Sequence, residues 1–460
     1  MKNNYAYWYN LCFKDAANDA AYIEKFCDNC GEGIILEPGS GTGRLASHLK
    51  NRKIKFLEVS GEMIEIFLKN HPDKKDDLIA GSADNVPLPD NSVSGIYVPF
   101  NGIGELTPIV FTLKEFHRVL KDDGKLLICA ANPDFPMLRA GTGIVANGAE
   151  NGDFQFDGRT FKTPFGKYSW QTMLSIRTLA GEVSFSINQY LITRERLEQI
   201  CCDTGFQVES VHGSYDSSAW SQNSQWTLMA LSKNRKNSEP EPDIHMQKLT
   251  STYNTVAPAY NTFAEKGSYA IPGWLKAKLP NLKLLKPDIL DLGCANGNLG
   301  EIAAHNYGQC DMVGVDVSPV MISELRKRSV YKNSMVWDLN KGLPFIESEF
   351  FDLVFAFGVL EFIKNIDLTL SGIAETLKPT GSLLCSFECF DELKGGAKVI
   401  TDPRIGFPRY LYTEEDVKTM LRRHKLEAVY SERITAYKSP STGAEVQYVL
   451  MQVKRDRNLG

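Results

Sequence analysis

The chain of 460 residues has no apolar run that approaches the ~18 residues needed for a membrane-spanning helix. It also has no excess of positive charge, since 51 Lys and Arg residues stand against 56 Asp and Glu residues, a net charge of −5. A nucleic-acid groove normally makes the charge balance positive, so the composition disfavours that partner. The first residues lack the apolar stretch of a signal peptide. We therefore expect a cytoplasmic protein with no membrane and no nucleic-acid partner.

A metal-binding pattern of cysteines is also missing. Cys27 and Cys30 form the only C-x-x-C pair among ten cysteines, and a structural zinc site needs a second pair at similar spacing. Reduced thiols are the default in a long chain without an export signal. We predict no metal and unpaired cysteines, with a metal or redox site at Cys27 and Cys30 as the open alternative.

A long-period repeat is the main feature that the sequence does contain. Gly39 and Gly293 lie 254 residues apart, and Glu58 and Asp316 lie 258 residues apart, each in a similar local sequence. Two further pairs of segments keep the same order: 86–92 with 343–349, and 118–124 with 375–381. The length suits two or three domains. The repeat therefore predicts two copies of one domain type.

The boundary between the copies is a polar, Pro-containing stretch at 232–245, the composition typical of a linker. We predict domains at 1–232 and 246–460, with a linker at 233–245. Within each copy, short apolar runs alternate with amphipathic segments, for example the predicted strands 288–292, 312–317, 351–357 and 382–387. This alternation predicts an α/β fold with a mostly parallel sheet flanked by helices, which binds ligands beyond the carboxyl ends of its strands.

A glycine-rich loop follows the first strand of each copy and is predicted to open a helix, where free N–H groups and missing side chains leave room for a ligand. The loop positions are Gly39, Gly41 and Gly43 in the first copy, and Gly293, Ala295 and Gly297 in the second.

Two acids accompany each loop. Glu37 and Asp291 come two residues before the first glycine, where a carboxylate would repel a pyrophosphate and attract an ammonium group. Glu58 and Asp316 close the next strand, where a carboxylate can accept both hydroxyls of a ribose. A nucleoside joined to a cationic amino acid suits both acids.

With these loops and acids, the chain resembles the class I S-adenosylmethionine-dependent methyltransferases, and it does so twice. The resemblance implies tandem Rossmann-like domains, with S-adenosyl-L-methionine as cofactor. The first acid and the loop would hold its methionine end, the second acid its ribose, and a residue after the third strand its adenine. That last position is Asp338 in the second copy and Ser82 in the first, where Asp84 is nearby. The remaining implied cofactor-binding residues are neighbours of these: Val59, Ala83, Val317 and Leu339.

The first copy contains an additional aromatic-rich segment after its fifth strand. Val183, Phe185 and Ile187 alternate there and predict antiparallel strands. The segment resembles the β lid of small-molecule N- and O-methyltransferases, including aminosugar N-methyltransferases. Its aromatic residues either cover an acceptor or simply pack the insertion onto the sheet: Phe154, Phe156, Phe161, Phe165, Tyr168 and Trp170.

Catalytic residues are harder to assign, because methyl transfer needs mainly placement and desolvation of the acceptor. Tyr9, Asn101, Tyr260 and Glu361 are candidates by position. Arg404 and Arg409 precede the last helix and either meet an anionic acceptor or lie in a solvated loop.

We expect a methyltransferase that acts on a small molecule by N- or O-methylation, with both copies serving one pathway. The alternatives are one catalytic copy beside a degenerate cofactor-binding or scaffold copy, and a fold that has lost its ligand. A dinucleotide oxidoreductase would need a longer gap before the last glycine. Methylation of a protein has no supporting docking feature, and the oligomeric state is not predicted.

Overall fold

The computed structural model describes residues 5–13, 17–49, 52–136, 144–151, 154–164, 169–178, 181–234, 244–260, 269–345, 347–390, 399–401, 406–438 and 443–456. The chain divides into two compact units, Met1–Asn237 and Ser238–Gly460. This division falls inside the segment 233–245, whose ends as a linker stay a prediction. Within the described ranges, no helix combines the length and apolar character that crossing a membrane requires.

The first unit is built on a seven-stranded sheet in the order β10-β11-β5-β4-β1-β2-β3. The first five strands pair in parallel, whereas β11 runs antiparallel to both β5 and β10. Their bounds are β1 Ile34–Pro38, β2 Lys53–Glu58, β3 Leu78–Ala80, β4 Val93–Val98, β5 Leu120–Ala131, β10 Phe206–His212 and β11 Trp226–Lys233. Every residue of β4 is buried, as expected for a strand covered on both faces.

Five helices of the first unit are α1 Tyr5–Phe13, α2 Ala17–Asp28, α3 Gly61–Asn70, α4 Ile109–Val119 and α5 Arg194–Asp203. The bounds of α3 and α5 follow from their capping residues. Ser60 and Thr193 each accept a hydrogen bond from the backbone N–H three residues later, which satisfies a donor at the helix start.

The insertion of the first unit forms a separate four-stranded antiparallel sheet. Its strands are β6 Ile144–Asn151, β7 Phe154–Pro164, β8 Ser169–Thr178 and β9 Gly181–Tyr190. The predicted antiparallel insertion is therefore confirmed. Phe185 in β9 packs against Tyr5 of α1, with ring centroids 5.5 Å apart. The contacts predicted for Phe154, Phe156, Phe161, Phe165, Tyr168 and Trp170 lie outside the described part of the structure.

The second unit has a seven-stranded sheet in the order β14-β13-β12-β15-β16-β20-β19. Its strands are β12 Asp288–Leu292, β13 Asp311–Asp316, β14 Asn333–Val336, β15 Phe351–Ala356, β16 Leu377–Glu388, β19 Leu426–Lys438 and β20 Glu445–Arg455, and a small hairpin adds β17 Val399–Thr401 and β18 Pro408–Tyr410. The helices are α6 Ile244–Val256, α7 Ile271–Lys278, α8 Asn298–Tyr307, α9 Pro319–Arg326, α10 Ile366–Thr376 and α11 Glu414–Arg423.

The two large sheets have the same topology, strand for strand. In each, the first strand of the copy lies between the second and the fourth. At one edge the last strand, β11 or β20, runs antiparallel between its two neighbours. The connection therefore reverses direction beside β1 and beside β12, which is where such sheets bind ligands. This confirms the predicted fold class of two tandem Rossmann-like domains.

The copies differ directly after the glycine loop. In the second unit α8 begins at Asn298, whereas residues 41–48 of the first unit form consecutive turns, so the predicted helix there is wrong. The turns are held by short-range bonds such as Ala46 N–H to the Gly43 carbonyl. The segment from Gly39 to Glu58 is four residues shorter than its counterpart. Four residues are about one helical turn, so the first unit lacks the length for a full helix.

Candidate functional site

In the first unit, the second acid holds the glycine loop in place. Glu58 ends β2, and its Oε2 accepts a hydrogen bond from the Gly41 N–H at 2.8 Å. Its Oε1 accepts from the N–H groups of Val59 and Ser60 at 3.0 and 2.8 Å. Gly41 has a φ of 57°, and a Cβ at this position would meet nothing within 4 Å. The loop therefore leaves an open space beside a fixed carboxylate.

The first acid of this unit lies deeper. Glu37 is 2% exposed, and the Tyr97 hydroxyl donates to its Oε2 at 2.6 Å. Burial raises the pKa of Glu37 to about 7, and the Tyr97 hydrogen bond opposes that shift. This carboxyl group is therefore close to half-ionised at neutral pH.

Beyond β3, Ser82 donates a hydrogen bond to the Asp84 Oδ1, so the two residues suggested for the adenine position act as a pair. Ala83 between them is buried. Val59, which follows the second acid, is 72% exposed despite its apolar side chain. Glu58, Val59, Ser82 and Asp84 thus occupy the carboxyl ends of the neighbouring strands β2 and β3.

In the second unit, Asp316 takes the place of Glu58. Its Oδ2 accepts from the Ala295 N–H at 2.9 Å, and its Oδ1 accepts from the Ser318 N–H at 2.8 Å. Burial raises the pKa of Asp316 to about 6, while these backbone donors lower it. Ala295 adopts a φ of 46°, a left-handed conformation that costs a residue with a side chain about 1–2 kcal/mol.

Asp291 repeats the burial of the first acid. It is 2% exposed, and the Tyr331 hydroxyl donates to its Oδ2 at 2.6 Å. Burial raises the pKa of Asp291 to about 7, against the effect of the Tyr331 hydrogen bond. Gly297 is needed close by, because a Cβ there would lie 2.9 Å from the Tyr331 ring.

A cavity in the second unit brings most of the predicted residues together. Its lining includes these predicted positions: Gly293, Ala295, Asp316, Val317, Asp338, Leu339 and Tyr260. Asp338 follows β14, and its Oδ1 accepts from both the backbone N–H and the side-chain amide of Asn340. Asp291, Gly297 and Glu361 are not in the lining.

Sequence reasoning gave no role to several other residues of this lining. Met246, Leu249 and Tyr253 come from α6, and Trp337 and Phe357 come from the strand ends. The helix is tied to the site because the Ser318 hydroxyl donates to Asn254 Oδ1 at 2.7 Å. Of residues 244–260, Tyr260 alone was a candidate from the sequence.

The first unit holds its first helix against the glycine loop by a similar bond. The Asn70 side-chain amide donates both to Asn10 Oδ1 at 2.9 Å and to the Thr42 carbonyl at 3.2 Å. Tyr9 in this helix packs against Phe13, with ring centroids 5.0 Å apart. Burial raises the pKa of the Tyr9 phenol above its usual range, so the phenol stays neutral.

The Asn101 side chain contacts backbone groups of two strands. It is 2% exposed, its Oδ1 accepts from the Ala131 N–H at 3.1 Å, and its Nδ2 lies 3.5 Å from the Tyr190 carbonyl. These contacts connect the end of β5 with the last residue of β9. Asn101 is therefore suited to position the inserted sheet relative to the large sheet of the first unit.

In the second unit, Tyr260 lines the cavity, and burial raises its pKa above the usual range for a phenol. Glu361 is 1% exposed and accepts from the Tyr448 hydroxyl at 2.5 Å. Arg409 is not in a solvated loop, because the residue belongs to β18 and its side chain is only 17% exposed. Arg404 lies outside the described residues.

The cysteine pair carries no reactive thiol. Cys27 and Cys30 are 0% and 5% exposed, and burial raises their pKa values to about 12 and about 11. Thiols with such values are not ionised near neutral pH, so they are poor nucleophiles.

Comparisons with known proteins find a methyltransferase domain in each half. Two models, each described as a methyltransferase domain, match residues 36–128 and residues 290–383. The demethylmenaquinone methyltransferase of Thermotoga maritima is 30% identical over 179 residues, which are 38% of this chain and 70% of that protein. The trans-aconitate 2-methyltransferase of Methylobacterium nodulans is 33% identical over 98 residues, 21% of this chain and 36% of that protein.

Among solved structures, the sugar N-methyltransferase KedS8 from Streptoalloteichus sp. aligns with a TM-score of 0.41 and 14% identity, over 50% of this chain and 93% of that chain. The chain spans between 34% and 58% of the length of several curated relatives that it matches.

Proposed function

The chain belongs to the S-adenosylmethionine-dependent methyltransferases, and from this premise we propose that both of its units bind S-adenosyl-L-methionine and methylate a small molecule at nitrogen or oxygen. The small-molecule part of the proposal is supported by relatives that are named for trans-aconitate and demethylmenaquinone. The two units would serve one pathway, at two positions or in two rounds.

One observation carries the proposal. In both units the carboxylate that ends the second strand accepts a hydrogen bond from the middle residue of the glycine loop, Glu58 from Gly41 and Asp316 from Ala295. This contact fixes the loop and the acid relative to each other before any ligand arrives. Preorganisation of this kind removes part of the ordering cost of binding.

The residues present fit the cofactor. The open space at Gly41 and the cavity at Gly293 and Ala295 suit a group that approaches the backbone closely. Glu58 and Asp316 would accept the ribose hydroxyls. For the adenine, Val59 and Val317 offer apolar contact, and Ser82, Ala83 and Asp84 or Asp338 and Leu339 lie at the next strand end. Glu37 and Asp291 would lie beneath the methionine end, where a bound ammonium group favours the ionised form of a carboxyl group.

When bound, the cofactor supplies an electrophilic methyl group. The chain's own residues orient the acceptor and exclude water. Tyr9 and Tyr260 would do so as neutral phenols, because burial keeps their pKa values high. Asn101 would position the insertion, and Glu361 is the candidate to receive a proton from an acceptor in the second unit.

Calorimetry on the full chain tests the proposal. S-adenosylhomocysteine should bind at micromolar affinity, and a nicotinamide dinucleotide should give no heat. Absence of heat from S-adenosylhomocysteine together with binding of the dinucleotide would overturn the assignment. Mass spectrometry of candidate metabolites, with and without S-adenosylmethionine, would then identify the acceptor by a gain of one methyl group.

A second candidate function keeps one unit as catalyst and the other as a scaffold. Ser82 favours it, because this position carries a neutral hydroxyl where the second unit has the Asp338 carboxylate. Under this alternative the first unit would be the one that does not bind the cofactor.

A further inference from the structure

A buried ion pair lies behind the glycine loop of the first unit. Arg44 directly follows Gly43, and its guanidinium donates to both carboxylate oxygens of Asp19 in α2, at 2.9 Å to Oδ1 and 2.6 Å to Oδ2. The side chains of Arg44 and Asp19 are 11% and 5% exposed. Two parallel hydrogen bonds fix both the distance and the orientation of the two groups. The pair therefore holds α2 on the turns that follow the loop.

The guanidinium of Arg44 has a further neighbour beyond β4. Its central carbon lies 4.9 Å from the centroid of the Phe100 ring. A cation at this distance from an aromatic ring is attracted to it, and more strongly where water is excluded. Arg44 thus joins three parts of the first unit: helix α2, the glycine loop, and the segment at the carboxyl end of β4.

The charge of Arg44 also acts on the first acid of the cofactor site. Burial raises the pKa of Glu37 to about 7, while the Tyr97 hydrogen bond and the charge of Arg44 lower it. Asp19 raises the pKa of Glu37, with a smaller effect than that of Arg44. The ion pair as a whole therefore favours the ionised form of the Glu37 carboxyl group.

The other titratable groups around Glu37 come from the neighbouring strand and helices. Glu58 of β2 adds a like charge, which raises the pKa of Glu37. Cys27 of α2 and Tyr9 of α1 also interact with Glu37, and burial keeps both of them neutral. Of these neighbours, all from the described part of the chain, Arg44 is the one with a positive charge.

The second unit is built differently at this place. Asn298 follows the last glycine of its loop and begins α8. The start of a helix carries a partial positive charge, which consecutive turns do not build up. The charge that acts on Asp291 there is the negative charge of Asp316. Arg44 therefore belongs to the copy in which turns replace the helix after the loop.

We propose that Arg44, oriented by Asp19, is a positioning residue of the first cofactor site: it holds α2 on the glycine loop and supplies, next to Glu37, the positive charge that a helix start would otherwise contribute. This inference rests on the proposed function, in which Glu37 in its ionised form faces the ammonium group of the cofactor. Arg44 acts through the Glu37 carboxyl group and is not itself a catalytic residue.

Calorimetry with S-adenosylhomocysteine at pH 6 and pH 9 tests this role. The full chain carries Asp316→Ala, which weakens the second site, and each variant is compared with this parent at the same pH, so that titration of the ligand cancels. Arg44→Gln should bind about threefold to tenfold more weakly at pH 6, the effect of raising the pKa of Glu37 by about half to one unit. At pH 9, where Glu37 is ionised in both chains, the affinities should be nearly equal.

Removing the other member of the pair should have the opposite effect. Asp19→Asn takes away the charge that opposes Arg44, so it should bind about twofold more tightly than the parent at pH 6 and equally at pH 9. The double variant Asp19→Asn/Arg44→Gln leaves a neutral pair, and its affinity at pH 6 should lie between those of the two single variants. If Arg44→Gln alone does not fold, Asp19→Asn above the parent and the double variant below it still decide the question.

An exposed ion pair on the same helix provides the matched control. Arg52 Nη2 lies 2.5 Å from Asp28 Oδ1, and the two side chains are 34% and 62% exposed. Arg52→Gln and Asp28→Asn should leave the affinity for S-adenosylhomocysteine unchanged at both pH values. Changes as large as those of the buried pair would show that any charge near α2 has this effect, and would overturn the proposal.

A purely structural ion pair would give a different pattern. Both single variants would then weaken binding by factors that do not depend on pH, and this result, or no effect of either variant at pH 6, would overturn the role of Arg44. If the Asp316→Ala parent binds S-adenosylhomocysteine but its variants show that pattern, only this inference is wrong. If the parent does not bind, the proposed function fails for the first unit, and the inference fails with it.

Discussion

The two units preserve one contact of the site and vary the structure that supports it. Glu58 and Asp316 both accept from the middle residue of the loop, although the segment leading to Glu58 is four residues shorter and lacks the helix. A missing helical turn therefore leaves the loop–acid contact unchanged. The contact depends on the strand ends, which the sheet fixes, and not on the helix that follows the loop.

The first acid shows the opposite pattern. Glu37 is bonded by Tyr97 of β4, whereas Asp291 is bonded by Tyr331, which precedes β14. In the second unit the β15 residue paired with Asp291 is Phe355, which has no hydroxyl. A buried carboxyl group needs a donor, and either neighbouring element can supply it.

The largest expected effect concerns these first acids. A carboxyl whose pKa is raised by folding contributes stability below its unfolded pKa near 4 and loses it as the pH rises through about 7. Asp291→Asn, which cannot ionise, should therefore gain stability relative to wild type between pH 5 and pH 8, on the order of 3 kcal/mol. Denaturant unfolding of the variant and the wild type at pH 5 and at pH 8, followed at the unfolding transition of the second unit, measures this difference in unfolding free energy.

Glu37→Gln should have the same effect on the first unit's transition. Asp288 lies at the other end of β12, is partly exposed and pairs with Lys378, so Asp288→Asn is the control and should show no comparable gain. Equal stability of Asp291→Asn and wild type at both pH values would mean that Asp291 is not held in the neutral form.

Loss of a second acid should weaken one binding site and spare the other. Asp316→Ala removes the charged acceptor of the loop and of the ribose, worth about 1.5–3 kcal/mol, or roughly tenfold to 150-fold in affinity. Glu58→Ala should do the same in the first unit. Calorimetry with S-adenosylhomocysteine resolves the two sites, and Asp352→Ala, far from the loop in the second unit, serves as the control. A single substitution that weakened both sites would refute their independence.

The adenine positions should give the two sites different affinities. Asp338 offers a carboxylate where the first unit has Ser82 paired with Asp84, and a charged acceptor is worth about 0.5–2 kcal/mol more than a neutral one. The second site should therefore bind about threefold to thirtyfold more tightly. Asp338→Asn should reduce the second site to the affinity of the first. Equal affinities in the wild type would show that Asp84 replaces Asp338 fully.

The smallest expected effect comes from the middle of the loop. Ala295→Gly relieves a left-handed backbone that costs about 1–2 kcal/mol, offset by about 0.5–1 kcal/mol for the freer unfolded chain. The second unit should gain about 0.5–1 kcal/mol of unfolding free energy, and Gly41→Ala should cost the first unit a similar amount. Denaturant midpoints measure both changes. A loss of stability in Ala295→Gly would contradict this prediction. It would mean that packing of the Ala295 methyl group stabilises the unit by more than the left-handed backbone costs.

Sequence reasoning reached the parts of the fold that depend on local pattern. The spacing of Gly39, Glu58, Gly293 and Asp316 predicted two copies of one domain, and the alternation of short apolar runs with amphipathic segments predicted their sheets, because both patterns are local in the sequence. The insertion was predicted from the alternation around Phe185. The helix after Gly43 was predicted wrongly. The sequence shows that the segment from Gly39 to Glu58 is four residues shorter than its counterpart, but it does not show that turns replace the helix there.

The remaining contacts join residues that are distant in sequence. Tyr97 and Tyr331 take non-equivalent positions in the two copies, so the repeat itself could not indicate them. Glu388 and Arg409 come together with Glu361 only through the packing of β16 and β18. Pairings of this kind depend on tertiary distance, which neither periodicity nor motif spacing records.

The number of cofactor molecules bound per chain tests the central claim most directly. Native mass spectrometry of the full chain with excess S-adenosylhomocysteine should show two bound molecules, and Glu58→Ala and Asp316→Ala should each show one. A wild-type count of one that Asp316→Ala abolishes and Glu58→Ala leaves unchanged would contradict the claim that both units bind, and would assign the first unit to the scaffold role.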